Sequence, residues 1–335
     1  MRTWQAGLVV LTMAALVLPV QIQAQDLLPP QAQNTRWAGE GWETDFSRAT
    51  VDFTEIVNVI GRDNIPAIDD PGFAPVGEVS DIPDREPVIA LEIDGDARGY
   101  PLRIMMWHEI VNDTVGGVPV AVTYCPLCNT ALVFRREIAG EPVTFGTSGK
   151  LRHSDLIMYD RKTQSWWQQF TGEGIVGVHA GDKLDAIPSL LMSFADFKTE
   201  HPDGQVLQPE ASRLNVNGRN PYVRYDSTPI PFLFRGELPE DIEAMERVVI
   251  VQREEPVAVA LSHLNANAPL TYKDHRFTWQ AGQASALDTG TISEGRDIGS
   301  VTVTRDGEPV VFEITFAFAA RAFYPDLEIL QSLAE

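Results

Sequence analysis

Val88-Ile89-Ala90-Leu91-Glu92-Ile93, then Asp94-Gly95-Asp96, then Ala97-Arg98-Gly99-Tyr100-Pro101-Leu102 is the stretch on which the fold class turns. An apolar, β-branched run meets an Asp-Gly turn and a second run of similar length, which is the pattern of a β-hairpin. The same alternation of strand-like runs and turn residues continues downstream. Gly116-Gly117 precedes the valine-rich Val118–Tyr124, which reads as a buried strand. Ala131–Glu137 and Pro142–Gly146 flank a turn at Ala139-Gly140-Glu141 and read as another hairpin. Asp155–Asp160, Ser165–Phe170 and Ile175–Val178 complete a strand-rich middle. Helical spacing is brief: Phe46, Phe53, Ile56, Val57 and Ile60, then Ile104–Val111, then Ser193–Glu200 with Ser193 as N-cap and Asp196 three residues on. The expected class is mainly β (α+β), with few short helices.

The C-terminal third resembles the hairpin region. Val248–Val251, a turn at Arg253–Glu255, and Val257–Leu261 mirror residues 88–102. Thr123–Ala131 aligns with Thr278–Ala286, which sets Gln280 and Gln283 opposite Cys125 and Cys128. The reading is two similar β-rich halves, 88–236 with the cysteines and 237–335 without them, as an internal duplication would leave; any two hairpin units share such a pattern. Residues 25–87 read as a leader and irregular cover rich in proline, among them Pro66, Pro71, Pro75 and Pro83. Residues 208–231, polar with repeated Pro, Asn and Gly, read as a long surface excursion.

The first 24 residues have the layout of a secretory signal: Arg2, an apolar run from Ala6 to Leu18, Pro19, and Ala24 at a cleavage position. The run is too short to span a bilayer of roughly 30 Å, and no later segment has the length of a spanning helix, so the mature chain is expected to have no membrane span. The expected location is a bacterial periplasm or the exterior. With 26 basic against 47 acidic side chains and a net charge of −21 over 335 residues, a nucleic-acid partner is not expected, because phosphate contacts need clustered cations. No other partner is indicated.

Two cysteines cannot staple a chain of this length, and they cannot alone make a four-thiolate metal site. Cys125-Pro126-Leu127-Cys128 places both thiols on one turn, a geometry open to three uses. It can hold a soft metal, copper or zinc. It can exchange disulfides, with Cys125 attacking and Cys128 resolving. It can close a small structural disulfide between Cys125 and Cys128. A metal needs further ligands, and His108 is the first candidate, with Met105 or Met158 as a fourth. The pocket candidates are Ser148, Asp155, Met158, Tyr159 and Asp160, set among small and aromatic residues. A third reading makes Tyr159, Trp166 and Trp167 an exposed recognition surface of a non-catalytic binding module. No GxSxG elbow, HExxH or P-loop occurs, and the sequence does not decide whether the protein is an enzyme.

Trp107-His108-Glu109-Ile110-Val111-Asn112-Asp113-Thr114-Val115-Gly116-Gly117, Tyr124-Cys125-Pro126-Leu127-Cys128-Asn129-Thr130, Phe145-Gly146-Thr147-Ser148-Gly149 and Ser154-Asp155-Leu156-Ile157-Met158-Tyr159-Asp160-Arg161 together resemble the bacterial DUF3179 family. The likeness covers roughly residues 85–325. It puts His108, Cys125, Cys128, Ser148, Asp155, Tyr159 and Asp160 on motif positions and implies no activity. Two departures stand out. Asn129 takes a place where the family often has glycine. Arg152-His153 stands where members often have an aromatic or aliphatic residue followed by asparagine.

Overall fold

A computed structural model describes residues 36–209, 218–252 and 255–331. The signal-like segment at 1–24 lies outside the described residues. The protein is mostly β, with five sheets of four or five strands set as blades in a propeller-like ring, and with four short helices among the described residues.

The hairpin expected over residues 88–102 forms: Pro87–Ile93 pairs antiparallel with Asp96–Pro101. Its strands are flanked by Leu190–Ser193 on one side and by Gln205–Leu207, running parallel, on the other. A helix, α1 (Leu102–His108), leads into a second sheet, where Ile110–Val115, Val118–Cys125 and Thr130–Arg135 make an antiparallel meander. The third sheet holds Phe145–Arg152, Asp155–Asp160, Trp166–Gln168 and Gly174–Val176. Helix α2 (Phe194–Glu200) starts where the sequence signalled it, with Ser193 Oγ accepting the Asp196 N–H at 3.1 Å.

The C-terminal section is wired like the first. Arg247–Val251 and Val257–Ala260 pair, and α3 (Leu261–Asn267) follows. Phe312–Phe316 then flanks the pair, α4 (Ala317–Phe323) crosses, and Ile329–Leu330 returns parallel to Val257–Ala260. The aligned segments also end alike: one strand stops at Cys125 and its counterpart, His275–Gln280, stops at Gln280. Shared wiring is what is observed; it does not by itself show the expected duplication.

Two local expectations are corrected. Residues 46–60 form no α-helix; a 3-10 turn at Phe53–Glu55 leads into the strand Ile56–Asn58. Their apolar side chains are spent on a strap instead. Trp37, Trp42 and Phe46 each lie 5.1–5.4 Å from the ring of Trp166, edge to face. Such pairs add about 0.5–1.5 kcal/mol each beyond simple burial. The hairpin expected across residues 131–146 pairs only beside its turn, Glu137 with Pro142 and Ile138 with Glu141, before Phe145–Arg152 leaves to pair with Asp155–Asp160. Across the ring, one continuous apolar cluster joins the first sheets to Val248, Ile250 and Phe316 of the last section. The chain therefore surrounds the end of the strand that carries Cys125.

Candidate functional site

The Cys125–Cys128 turn connects the central strand Val118–Cys125 to Thr130–Arg135, with Cys125 and Thr130 opposed in register. Asn129 closes the turn at φ 59°, in the left-handed region. This explains the departure noted in the sequence: the position needs a residue that tolerates positive φ, and asparagine is the commonest alternative to glycine. The Asn129 amide also donates to the Ile314 carbonyl at 2.9 Å. Thr315 Oγ1 and the Phe316 N–H both donate to the Cys128 carbonyl, at 2.8 and 3.1 Å. Tyr225 donates its hydroxyl to the Leu127 carbonyl at 2.7 Å. The turn is thus held by the last section and by a loop that the sequence reading left as a surface excursion.

A second turn faces it. His153 and Ser154 join Phe145–Arg152 to Asp155–Asp160, both at positive φ (54° and 65°). A two-residue hairpin of this kind usually carries Asn-Gly, so the backbone is strained where it brings up Asp155. Cys125 Sγ lies 3.7 Å from the Ser154 carbonyl oxygen, and Cys128 Sγ lies 2.9 Å from Asp155 Oδ1. The two sulfurs and one carboxylate oxygen of Asp155 lie within 4.8 Å of one another. Both cysteines carry free thiols and both are buried.

The surroundings are polar, buried and short of positive charge. Thr130 Oγ1 donates to Cys128 Sγ at 2.9 Å. Asp155 Oδ2 accepts from Gln168 Nε2 at 2.6 Å and from the Phe170 N–H at 2.9 Å. Gln168 Oε1, Gln169 Oε1 and Glu313 Oε2 are buried without a hydrogen-bond partner among the described residues. Burial raises every acid here. It pushes Asp155 up to about 6 against the lowering of its hydrogen bonds. It pushes Glu109 up to about 8, with the Asp155 charge adding to it. It raises Cys125, raises Cys128 well above the ordinary thiol, and does the same to the Glu313 carboxyl. The site therefore holds protons that a cation could displace.

The other sequence candidates go elsewhere. His108 is buried at the end of α1 with Nδ1 2.8 Å from the Pro66 carbonyl oxygen, and it is not in the group within 4.8 Å. Met105 and Met158 belong to the apolar core. Ser148 bonds the Ile157 carbonyl and accepts the Lys150 N–H, shaping an irregularity in its strand. Tyr159 donates to Asp63. Asp160 caps its own turn through Thr163 and takes the Trp167 indole N–H at 3.1 Å. Tyr159, Trp166 and Trp167 are all buried, at 4%, 0% and 1% exposure, so the recognition surface proposed for them does not exist. They are the packing of the third sheet and the strap.

Sequence reading missed Glu109 as a site residue. It passed over Glu109 for its neighbour His108, although a carboxylate inside an apolar stretch was the available signal. Its left-handed backbone (φ 59°) ends α1 and turns the chain toward the cysteines.

A mainly β protein with a buried site of two thiols and one carboxylate is the class that fold and site define. The chain belongs to the DUF3179 family, described as proteins of unknown function, which it matches over residues 62–327. No curated protein and no solved structure is detectably similar to it. Among the described residues, no helix is long and apolar enough to cross a membrane.

Proposed function

We propose that this is an exported metal-binding protein in which Cys125, Cys128 and Asp155 hold one ion, Zn(II) before Cu(I). The convergence of these three donors within 4.8 Å carries the reading. A carboxylate beside two thiolates is a borderline donor set, better matched to zinc than to copper(I), which prefers sulfur alone. Asp155 takes the third place expected for His108. Gln168 and the Phe170 N–H orient its second oxygen, as outer hydrogen bonds do at metal sites. The unpartnered amide oxygen of Gln168 adds to the local excess of acceptors.

Metal content of protein recovered from its compartment tests this, before and after Cys125→Ser and Asp155→Asn. One equivalent in the parent and none in Cys125→Ser is expected. Stoichiometry that survives both changes defeats the proposal. Export is tested alongside by the N-terminus of the recovered chain, expected at Gln25.

A second reading is a thiol–disulfide pair. The closeness of the two sulfurs, within 4.8 Å of one another, favours it. Against exchange with a partner stand the burial of both sulfurs and the raised thiols, since the thiolate is the reactive form. A reduction potential below roughly −300 mV would mark a structural bridge rather than an exchanging one.

A further inference from the structure

A pocket of about 120 Å³ opens beside the two-cysteine turn. Val59, Leu127, Leu156 and Phe232 are among the apolar side chains that line it. Two polar groups break this wall: the Glu109 carboxyl and Tyr222. Neither the Glu109 carboxyl nor the Tyr222 hydroxyl has a hydrogen-bond partner among the described residues. Glu109 is 9% exposed and lines the pocket. The Lys150 ammonium also borders the pocket but is taken up by Glu40, at 2.8 and 3.0 Å, and by the Ser148 carbonyl at 2.9 Å.

An apolar pocket with a few convergent polar groups is the usual form of a small-molecule site. It is smaller than the closed apolar cavity of roughly 150 Å³ that takes benzene, but its rim at Val59 and Phe232 is exposed, so a six-membered ring can sit with one edge in the open mouth. We propose that this pocket binds an uncharged, ring-sized ketone whose oxygen accepts hydrogen bonds from the Glu109 carboxyl and the Tyr222 hydroxyl.

The chemistry selects that class against its neighbours. A hydrocarbon of the same size would leave both polar groups dry and unpaired, at a cost a ketone avoids. An ammonium compound would set only donors against the Glu109 and Tyr222 donors and would bring a charge into an apolar wall. Burial keeps the proton on Glu109 through neutral pH, with its midpoint at about 8, so the carboxyl is a donor there. The cysteines do not line the pocket, so this reading goes beyond the metal proposal and does not rest on it.

Ligand-observed NMR titration of the purified protein at pH 6.5 tests it, with cyclohexanone, methylcyclohexane and cyclohexylammonium as probes. Saturable binding of cyclohexanone is expected, at least about tenfold tighter than either other probe. Glu109→Gln keeps a donor of the same shape and should hold the affinity within about threefold. Glu109→Leu should weaken it about tenfold or more, and Val59→Trp, at the exposed rim, should abolish it. Cys125→Ser should leave it unchanged, which separates this result from the fate of the metal site. An unfolding midpoint measured on each variant confirms that it is folded. No saturable binding of cyclohexanone, tighter binding of cyclohexylammonium, full affinity in Glu109→Leu, or loss in a folded Cys125→Ser each overturns the proposal.

Discussion

Cys128 Sγ sits 2.9 Å from Asp155 Oδ1, although the two residues come from different sheets and different turns. The contact fixes which chemistry the cysteine pair has at hand. A protonated thiol donates to a carboxylate in a buried setting, and a metal would replace that shared proton. Competition of Zn(II) against a chromogenic chelator should therefore give about 10- to 100-fold weaker binding for Asp155→Asn than for the parent. Affinity should rise with pH through about 6, where Asp155 loses its proton, and continue upward as the thiols are displaced. A pH-independent affinity between 5 and 8 would argue against these ligands.

Stability of the metal-free protein should run the other way. Glu109 is raised from 4.5 to about 8 and Asp155 from 3.8 to about 6, so the folded state binds more protons than the unfolded state between those limits. Unfolding free energy then falls as pH rises, through Asp155 up to about 6 and through Glu109 up to about 8, with the raised Glu313 carboxyl adding to the same slope. Denaturant unfolding at several pH values in the presence of a chelator measures the slope. Glu109→Gln should lower the slope throughout, most above pH 6, and leave below it the share that Asp155 supplies.

Asn129 should rank glycine above alanine. Asn129→Ala loses the bond to Ile314 and keeps a side chain at φ 59°, for a cost of about 2–3 kcal/mol. Asn129→Gly loses the bond but not the conformational ease, and should cost about 1 kcal/mol. Urea midpoints of the two variants check the order; equal midpoints would mean that the backbone angle is not what the residue supplies.

The strap gives a stability prediction remote from the site. Trp166 is fully buried against Trp37, Trp42 and Phe46. Trp166→Ala should cost about 3–5 kcal/mol. It should also make residues 36–53 the first to be cut in limited proteolysis, as a loosened segment would be. A cut elsewhere first would show that the strap is held by other contacts.

Much of the fold was legible because strand pairing here is local. The hairpin at 88–101 and the cap at Ser193 depend on neighbours in sequence, where turn chemistry and periodicity speak directly. Residues 46–60 misled because Phe46, Phe53 and Ile56 answer to Trp166, a partner more than a hundred positions away, and that contact leaves no local period. The site was half legible for the same reason. Cys125 and Cys128 announce themselves by spacing, and Asp155 was among the pocket candidates. Nothing local ranks Asp155 above Ser148 or Asp160, or Glu109 above His108; only the facing turns and the buried interior do that. Tyr222 and Tyr225 were hidden in a polar stretch whose two aromatic rings turn inward.

The hydrogen bonds from Thr315, Phe316 and Asn129 join positions as far apart as 188 in sequence. They make the order of synthesis matter. The cysteine turn emerges first, and the strand that latches its carbonyl, Phe312–Phe316, is made much later. A chain stopped near residue 236 would carry both thiols and Asp155 with no latch, leaving sulfur open to whatever oxidant or stray ion it met. The integrity of this site therefore depends on residues far downstream of it, so a lesion near residue 315 should resemble a lesion at the cysteines themselves.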